Sequence, residues 1–276
     1  MCDGIIRKGR DYMVEVIVDT HTHYAHKRFD SGRDEIISGL PGAGIFAVIE
    51  AAIDYESNFK MKALCEKYPH VYMAAGCHPN CVEEMEDSKF RQIAELLNYD
   101  KTLAIGETGL DYDKGKTEEQ IATQKDWFRR FIELAIETQK PMVIHSRLAN
   151  DELIEILKEY SLIKQPGVIH CFSGKVRQAK DLINMGFYLG VNGMFTKMDA
   201  DADLCIALKQ IPLERILLET DAPYLAPAGA EGKRNTSMNL SLIVEQLSEL
   251  RGESPEYIRK VVLENTRKMY PFIFEE

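Results

Sequence analysis

The sequence predicts an α/β protein folded as one single-domain TIM (β/α)8 barrel, and three observations lead there. Short β-rich apolar runs recur eight times, stretches of 3.6-residue apolar spacing lie between them, and the unusual polar residues gather where the runs end. Strands that alternate with helices are parallel and joined by right-handed crossovers, and eight within about 210 residues suit a closed barrel.

Taken in order, residues 1–13 form an expected N-terminal extension and residues 14–276 the barrel. The first run is Val14–Asp19. Gly39-Leu-Pro-Gly-Ala-Gly44 is glycine-rich but precedes a run instead of following one, so it reads as a loop and not as the phosphate-binding turn of an open doubly wound sheet. Ile45–Glu50, Val71–Gly76 and Leu103–Gly106 follow as strands. Ile121, Phe128, Phe131, Ile132 and Ala135 then keep helical spacing. Met142–His145, Val168–His170, Phe187–Val191 and Ile216–Glu219 complete the eight. Residues 225–237 are irregular and sit directly after the last strand, a place where long loops are usually functional. Leu240, Ile243, Val244, Leu247 and Leu250 mark a helix over 238–250, and Gly252 separates it from another over 254–269.

Composition narrows the function classes. Hydrophobic residues are 45% and charged residues 28% of the 276, which excludes disordered and low-complexity classes. No apolar run approaches the roughly 18 residues of a membrane span, and no signal-peptide pattern opens the chain, so a cytoplasmic location is expected. Lys and Arg number 34 against 44 Asp and Glu, a net charge of −10. That argues against coating nucleic acid by bulk electrostatics and leaves room for a transient, local encounter with a polyanion. The six cysteines (2, 65, 77, 81, 171, 205) are expected to be reduced thiols. Cys77-His78-Pro79-Asn80-Cys81 lacks the second Cys/His pair that a structural zinc needs.

His21, His23, His78, His145 and His170 all fall at or just past a strand end, as do Glu107 and Asp221. In a parallel barrel those ends share one rim, the rim where such barrels carry active sites. On an extended segment Asp19, His21 and His23 point one way, so two imidazoles can chelate one metal while Asp19 orients one of them. Glycines flanking Glu107 expose a carboxylate that can bridge two cations, since each oxygen has its own lone pairs. His145-Ser-Arg147 and His170-Cys-Phe-Ser-Gly174 add two imidazoles on consecutive strands, and Asp221 adds an acid after the eighth. Glu219 reads as a pairing or helix-capping group, and His26 is given no ligand role. These donors suit two divalent cations, Zn or Mn better than Mg, each with an open position.

The motifs Asp19-Thr-His-Thr-His23, Gly76-Cys-His-Pro79, Gly106-Glu-Thr-Gly-Leu-Asp-Tyr112, His145-Ser-Arg147, His170-Cys-Phe-Ser-Gly174, Leu218-Glu-Thr-Asp-Ala-Pro-Tyr-Leu225 and Gly232-Lys-Arg-Asn235 together resemble the TatD family of metal-dependent deoxyribonucleases, from about residue 15 to the C-terminus. The resemblance implies a hydrolase of the amidohydrolase superfamily that degrades single-stranded DNA from its 3′ end with two cations (Mg, Mn or Zn). It implies one cation held by His21, His23, Glu107 and Asp221, a second by Glu107, His145 and His170, and His78 on the substrate side. For the phosphodiester hydrolysis it implies, Asp221 is expected to accept the proton of the attacking water, and Lys233 and Arg234 to neutralise flanking phosphates, with Arg147 as a further candidate. DNA would be a transient substrate, and the oligomeric state is left open, with a monomer allowed. Other readings of the same metal centre are a small-molecule amide, ester or lactone hydrolase and a D-aminoacyl-tRNA deacylase; a non-catalytic metal-binding scaffold is the alternative outside enzymes. Tyr24 stands where the family usually has Leu, and Thr236-Ser237 where it commonly has Glu-Pro.

Overall fold

The eight apolar runs form eight parallel strands, β1 (Ile17–Thr22), β2 (Ile45–Ala51), β3 (Val71–Ala75), β4 (Thr102–Asp111), β5 (Met142–Arg147), β6 (Gly167–Ile169), β7 (Tyr188–Val191) and β8 (Ile216–Leu218). The computed structural model describes residues 16–230, 232 and 234–275. The expected extension over 1–13 and the first residues of the first predicted strand lie outside them. Each strand pairs with the next in chain order. Just beyond β8 the chain returns to β1: Thr22 bridges Ala222, the Asp221 N–H donates to the His21 carbonyl at 3.0 Å, and the His23 N–H donates to the Ala222 carbonyl at 2.8 Å. That near-closure is the TIM barrel. Among the described residues no helix is long and apolar enough to cross a membrane.

Sequential parallel strands require crossovers, and helices α1 (Arg33–Gly39), α2 (Tyr55–Lys67), α3 (Asp87–Leu96), α4 (Glu118–Thr138), α5 (Asn150–Lys158), α6 (Val176–Asn184) and α7 (Asp203–Gln210) supply them. After β8 come α8 (Leu240–Arg251) and α9 (Pro255–Met269). Local chemistry sets the ends. Thr117 and Gln120 cap each other reciprocally at the start of α4, Ser254 accepts the Tyr257 N–H before α9, and Gly252 ends α8 with φ of 70°. Phe128, Phe131, Ile132 and Ala135 of α4 are buried against the strands, as their spacing requires.

A second apolar cluster takes a residue from each strand (Val18, Ile49, Ala74, Ala104, Val143, Val168, Tyr188, Leu217) together with Tyr270 and Ile273. It is the barrel interior. Two residues further along, on the same alternating face, stand His145, His170 and Glu219. The apolar layer therefore floors a polar one.

Four strands run further than their sequence signals, β2 by one residue, β5 by two, and β1 and β4 by more. β1 continues through Asp19-Thr-His-Thr22, and β4 continues five residues past Gly106, so His21 and Glu107 lie within strands. β4 can extend because Gly109 has no side chain. A Cβ there would fall 2.1 Å from the His145 carbonyl oxygen, and its φ is 138°.

Candidate metal centre

β1, β4 and the exit of β8 bring together the first group. Nε2 of His21 and Nε2 of His23 lie 3.1 Å apart. Asp221 Oδ1 is 3.2 Å from His23 Nε2 and 3.8 Å from His21 Nε2, and Glu107 Oε2 is 3.4 Å from His21 Nε2 and 3.7 Å from His23 Nε2. Asp221 takes a left-handed φ of 58°, an uncommon backbone setting for a residue other than glycine. Its place is set by the two backbone bonds that join β1 to the exit of β8.

The other oxygen of Glu107 faces a second group. Oε1 lies 2.8 Å from His145 Nδ1, 3.7 Å from His78 Nε2 and 3.8 Å from His170 Nε2. The His170 ring stacks on the His21 ring with centroids 3.5 Å apart, which ties the two groups together.

Further residues aim these rings. His23 Nδ1 is 2.9 Å from the Ala51 carbonyl, an acceptor, so Nδ1 carries a proton and Nε2 is the nitrogen turned to the site. His170 Nδ1 pairs with Glu219 Oε1 at 2.9 Å, and that oxygen accepts from the Cys171 N–H and the Asn192 amide. Glu219 fits there because Gly190 makes room; a Cβ at 190 would lie 2.3 Å from its Oε2. Glu219 is thus a pairing group, as its sequence position suggests. Asp19 differs from expectation. Its carboxylate accepts from the Thr220 N–H at 2.9 Å and the Thr220 hydroxyl at 2.6 Å, and among the described residues no imidazole nitrogen bonds to it. The β1–β2 register shift between Asp19 and Thr22 breaks the alternation that would have kept Asp19 in line with the histidines. It locks β1 to the exit of β8 instead, and His21 Nδ1 is buried without a hydrogen-bond partner among the described residues.

Burial alone would raise the Glu107 carboxyl, but His78, His21, His170 and the bond to His145 hold it well below the usual carboxylate range. Burial opposes charge on His23, yet Asp221 lifts it to about 9; Asp111 and Glu107 do the same for His145, also to about 9. Burial and the neighbouring His145 push His78 down to about 3. A protein that crowds imidazoles and carboxylates in one buried space must neutralise the carboxylates with protons or cations. The mixed donors fit divalent cations: His21, His23 and Asp221 form one compact set, and His21, Glu107 and His170 another.

The remaining predicted residues are less central. Arg147 is exposed and pairs with Asp113 at 3.1 Å. Lys233 lies outside the described residues. Arg234, expected on substrate phosphates, is bonded within the fold: its Nη1 donates to the Arg28 and Ser31 carbonyls, each at 2.9 Å, and its guanidinium packs over Phe29.

Three buried residues escaped the sequence reading as site residues. Asp111 Oδ2 lies 3.1 Å from His145 Nε2 and accepts from Asn80 at 3.0 Å, so His145 is left to face Glu107 through Nδ1. Glu50 accepts from the Thr22 hydroxyl and from the Tyr24 and Ala25 N–H groups, which fixes the chain around His23. Asn235 bonds the Thr220 and Tyr224 carbonyls and so holds the backbone on both sides of Asp221. A carboxylate ending the apolar run Ile45–Glu50 was the available signal for Glu50. Asp111 and Asn235 lay in quoted motifs, but nothing local showed their partners.

Residues 18–271 match the family model described as TatD related DNase. An uncharacterized metal-dependent hydrolase of Bacillus subtilis, YabD, is 32% identical over 255 residues, 92% of this chain and 99% of that protein. The 3′-5′ ssDNA/RNA exonuclease TatD of Salmonella typhimurium is 28% identical over 261 residues, 93% of this chain and 99% of that one. Among solved structures, the TatD homologue YjjV of Escherichia coli K12 superposes with a TM-score of 0.86 at 29% identity, covering 94% of this chain and 99% of the other.

Proposed function

The chain belongs to the TatD-related DNase family, whose members include metal-dependent hydrolases, and from that premise we propose that it is a nuclease that hydrolyses phosphodiester bonds of single-stranded DNA from the 3′ end with two divalent cations. The observation that carries this reading is the divided Glu107 carboxylate, one oxygen toward His21 and His23 and the other toward His145 and His170. His21, His23, Glu107 and Asp221 would hold one cation, and Glu107, His145 and His170 the other.

When bound, the cations supply Lewis acidity that neutralises phosphoryl oxygens and acidifies the attacking water. Asp221 is the acceptor of the water proton. Its side chain is 12% exposed against 3% for Glu107, and its buried carboxyl is held ionised by His23 and His170. The water oxygen bonds to phosphorus, the bond from phosphorus to the leaving oxygen breaks, and that oxygen keeps the electron pair until it is protonated. His78 Nδ1 accepts the Asn80 N–H at 3.1 Å, so a neutral His78 carries its proton on Nε2 and can donate it in a hydrogen bond to a phosphoryl oxygen.

The test is digestion of end-labelled single-stranded DNA in Mg, Mn or Zn, beside Glu107→Ala. The expected result is metal-dependent shortening from the 3′ end that the variant lacks. DNA left intact in every metal, with lactones or esters turned over, would overturn the reading.

A further inference from the structure

We infer that Tyr224, with His26 and Arg28, is a stacking site for a nucleobase next to the hydrolysed phosphodiester; the inference rests on the nuclease reading above. Tyr224 is a large aromatic left 37% exposed at the rim, whereas Tyr24, just past β1, is wholly buried. The Tyr224 N–H donates to the Asp221 carbonyl at 2.7 Å, and its ring lies 6.1 Å from that of His23, so it borders the metal centre directly.

The surroundings suit a base. The Arg28 guanidinium lies 5.4 Å from the Tyr224 ring centroid, a cation beside an aromatic face in a chain of net charge −10. The His26 ring is 5.8 Å from the Tyr224 ring, with Nε2 3.4 Å from the phenol oxygen. His26 Nδ1 accepts the Arg28 N–H at 3.2 Å, so in the neutral ring Nε2 carries the proton and points it at the phenol oxygen. The phenol proton is then available to a base or phosphate acceptor. The loop is not loose. Arg234 bonds the Arg28 and Ser31 carbonyls and Arg33 Nε donates to the Tyr24 carbonyl at 2.7 Å, which together fix the segment that carries His26 and Arg28.

Aromatic platforms beside cations take any base, since every base has a π face, and they take it from a single strand, since duplex bases are already stacked and paired. The site therefore predicts tolerance of base identity and dependence on the presence of a base.

The experiment compares two oligonucleotides that differ only at the residue next to the scissile bond, one with its base and one abasic, in wild type and in Tyr224→Ala, Tyr224→Leu and Tyr224→Trp. The readout is the ratio of kcat/KM with and without the base, which cancels any general loss of activity. Wild type should favour the intact substrate about tenfold, within the range that one base–aromatic stack supplies. The ratio should fall toward one in Tyr224→Ala and Tyr224→Leu, which have no ring face, and be kept in Tyr224→Trp. A wild type that degrades both oligonucleotides equally, or a ratio undiminished in both ring-less variants, would overturn the stacking site and leave the nuclease reading standing. Turnover of bis-p-nitrophenyl phosphate with neither oligonucleotide degraded would instead overturn the nucleic-acid reading and the stacking site with it.

Discussion

At Asp221 the proposed roles of ligand and base meet in one side chain, so a change that keeps its shape is the informative one. Asp221→Asn retains size and the backbone bonds to β1 but is a poor base, and kcat should fall by about 10²–10⁴ with the fold intact. Unchanged turnover in a folded Asp221→Asn would remove it from the mechanism. Asp111 acts one bond further out. By occupying His145 Nε2 it leaves Nδ1 toward Glu107, and Asp111→Asn should weaken the proposed cation site at Glu107, His145 and His170 by about 10–100-fold, measurable by calorimetric metal titration. The same titration has a definite pH dependence. His23 and His145 are both raised to about 9 above an ordinary value of 6.5, so both are protonated in the metal-free protein at pH 7. Their protonation stabilises the metal-free fold fully below 6.5, and that contribution is lost as pH rises through about 9. Cations must displace those protons, so affinity should climb between pH 7 and 9, and heats in buffers of different ionisation enthalpy should report protons released. An affinity flat over that interval would contradict the assignment of either ring as a ligand.

Single positions in the strands and loops decide whether these side chains meet at all. Glu107 on β4 and His145 on β5 face each other because Gly109 lets the two strands close. Gly109→Ala would set a Cβ 2.1 Å from the His145 carbonyl oxygen, so it should cost more than about 2 kcal/mol and loosen metal binding together. Equal loss of both would be seen as a lowered denaturation midpoint and a raised metal Kd. The loop between β1 and α1 has a different anchor. Arg234→Ala removes two charge-assisted bonds to backbone carbonyls on a partly exposed group and should cost about 1–2 kcal/mol. It should leave the slope of log affinity against log salt for single-stranded DNA within about 0.7 of wild type, the value of one phosphate contact. A larger drop would return Arg234 to the phosphates.

Across the whole barrel, the rim collects five histidines and the carboxylates of Glu107, Asp111, Glu219 and Asp221 above an apolar floor. Such a layer is costly to bury without counter-charge, and cations that bind only the folded chain stabilise it by mass action. At about 100-fold excess over Kd, one site contributes about 2.7 kcal/mol, so chelation should lower Tm by several degrees and reloading should restore it. Metal analysis after reloading should approach two equivalents and fall in Glu107→Ala. A Tm indifferent to chelator would mean that protons alone balance the rim.

Much of this was legible along the chain. Eight apolar runs with helical spacing between them specify parallel strands in order, and a closed barrel then puts every strand end on one rim. Histidines at those ends therefore had to approach one another, whatever the details. Partners that depend on which strands touch were not legible. Asp19 is bonded to Thr220, which lies 201 residues away, and could be paired with it only once β8 had closed against β1. β4 looked finished at Gly106, and its extension depends on the close approach of β5 to Gly109. Local sequence shows the charge of Arg234 and not the carbonyls of Arg28 and Ser31 that its Nη1 meets across the loop. Periodicity and composition record which residues must be buried, because burial is a property of each side chain and its near neighbours. Which buried polar atom meets which is a matter of register and closure, and those exist only in the folded barrel.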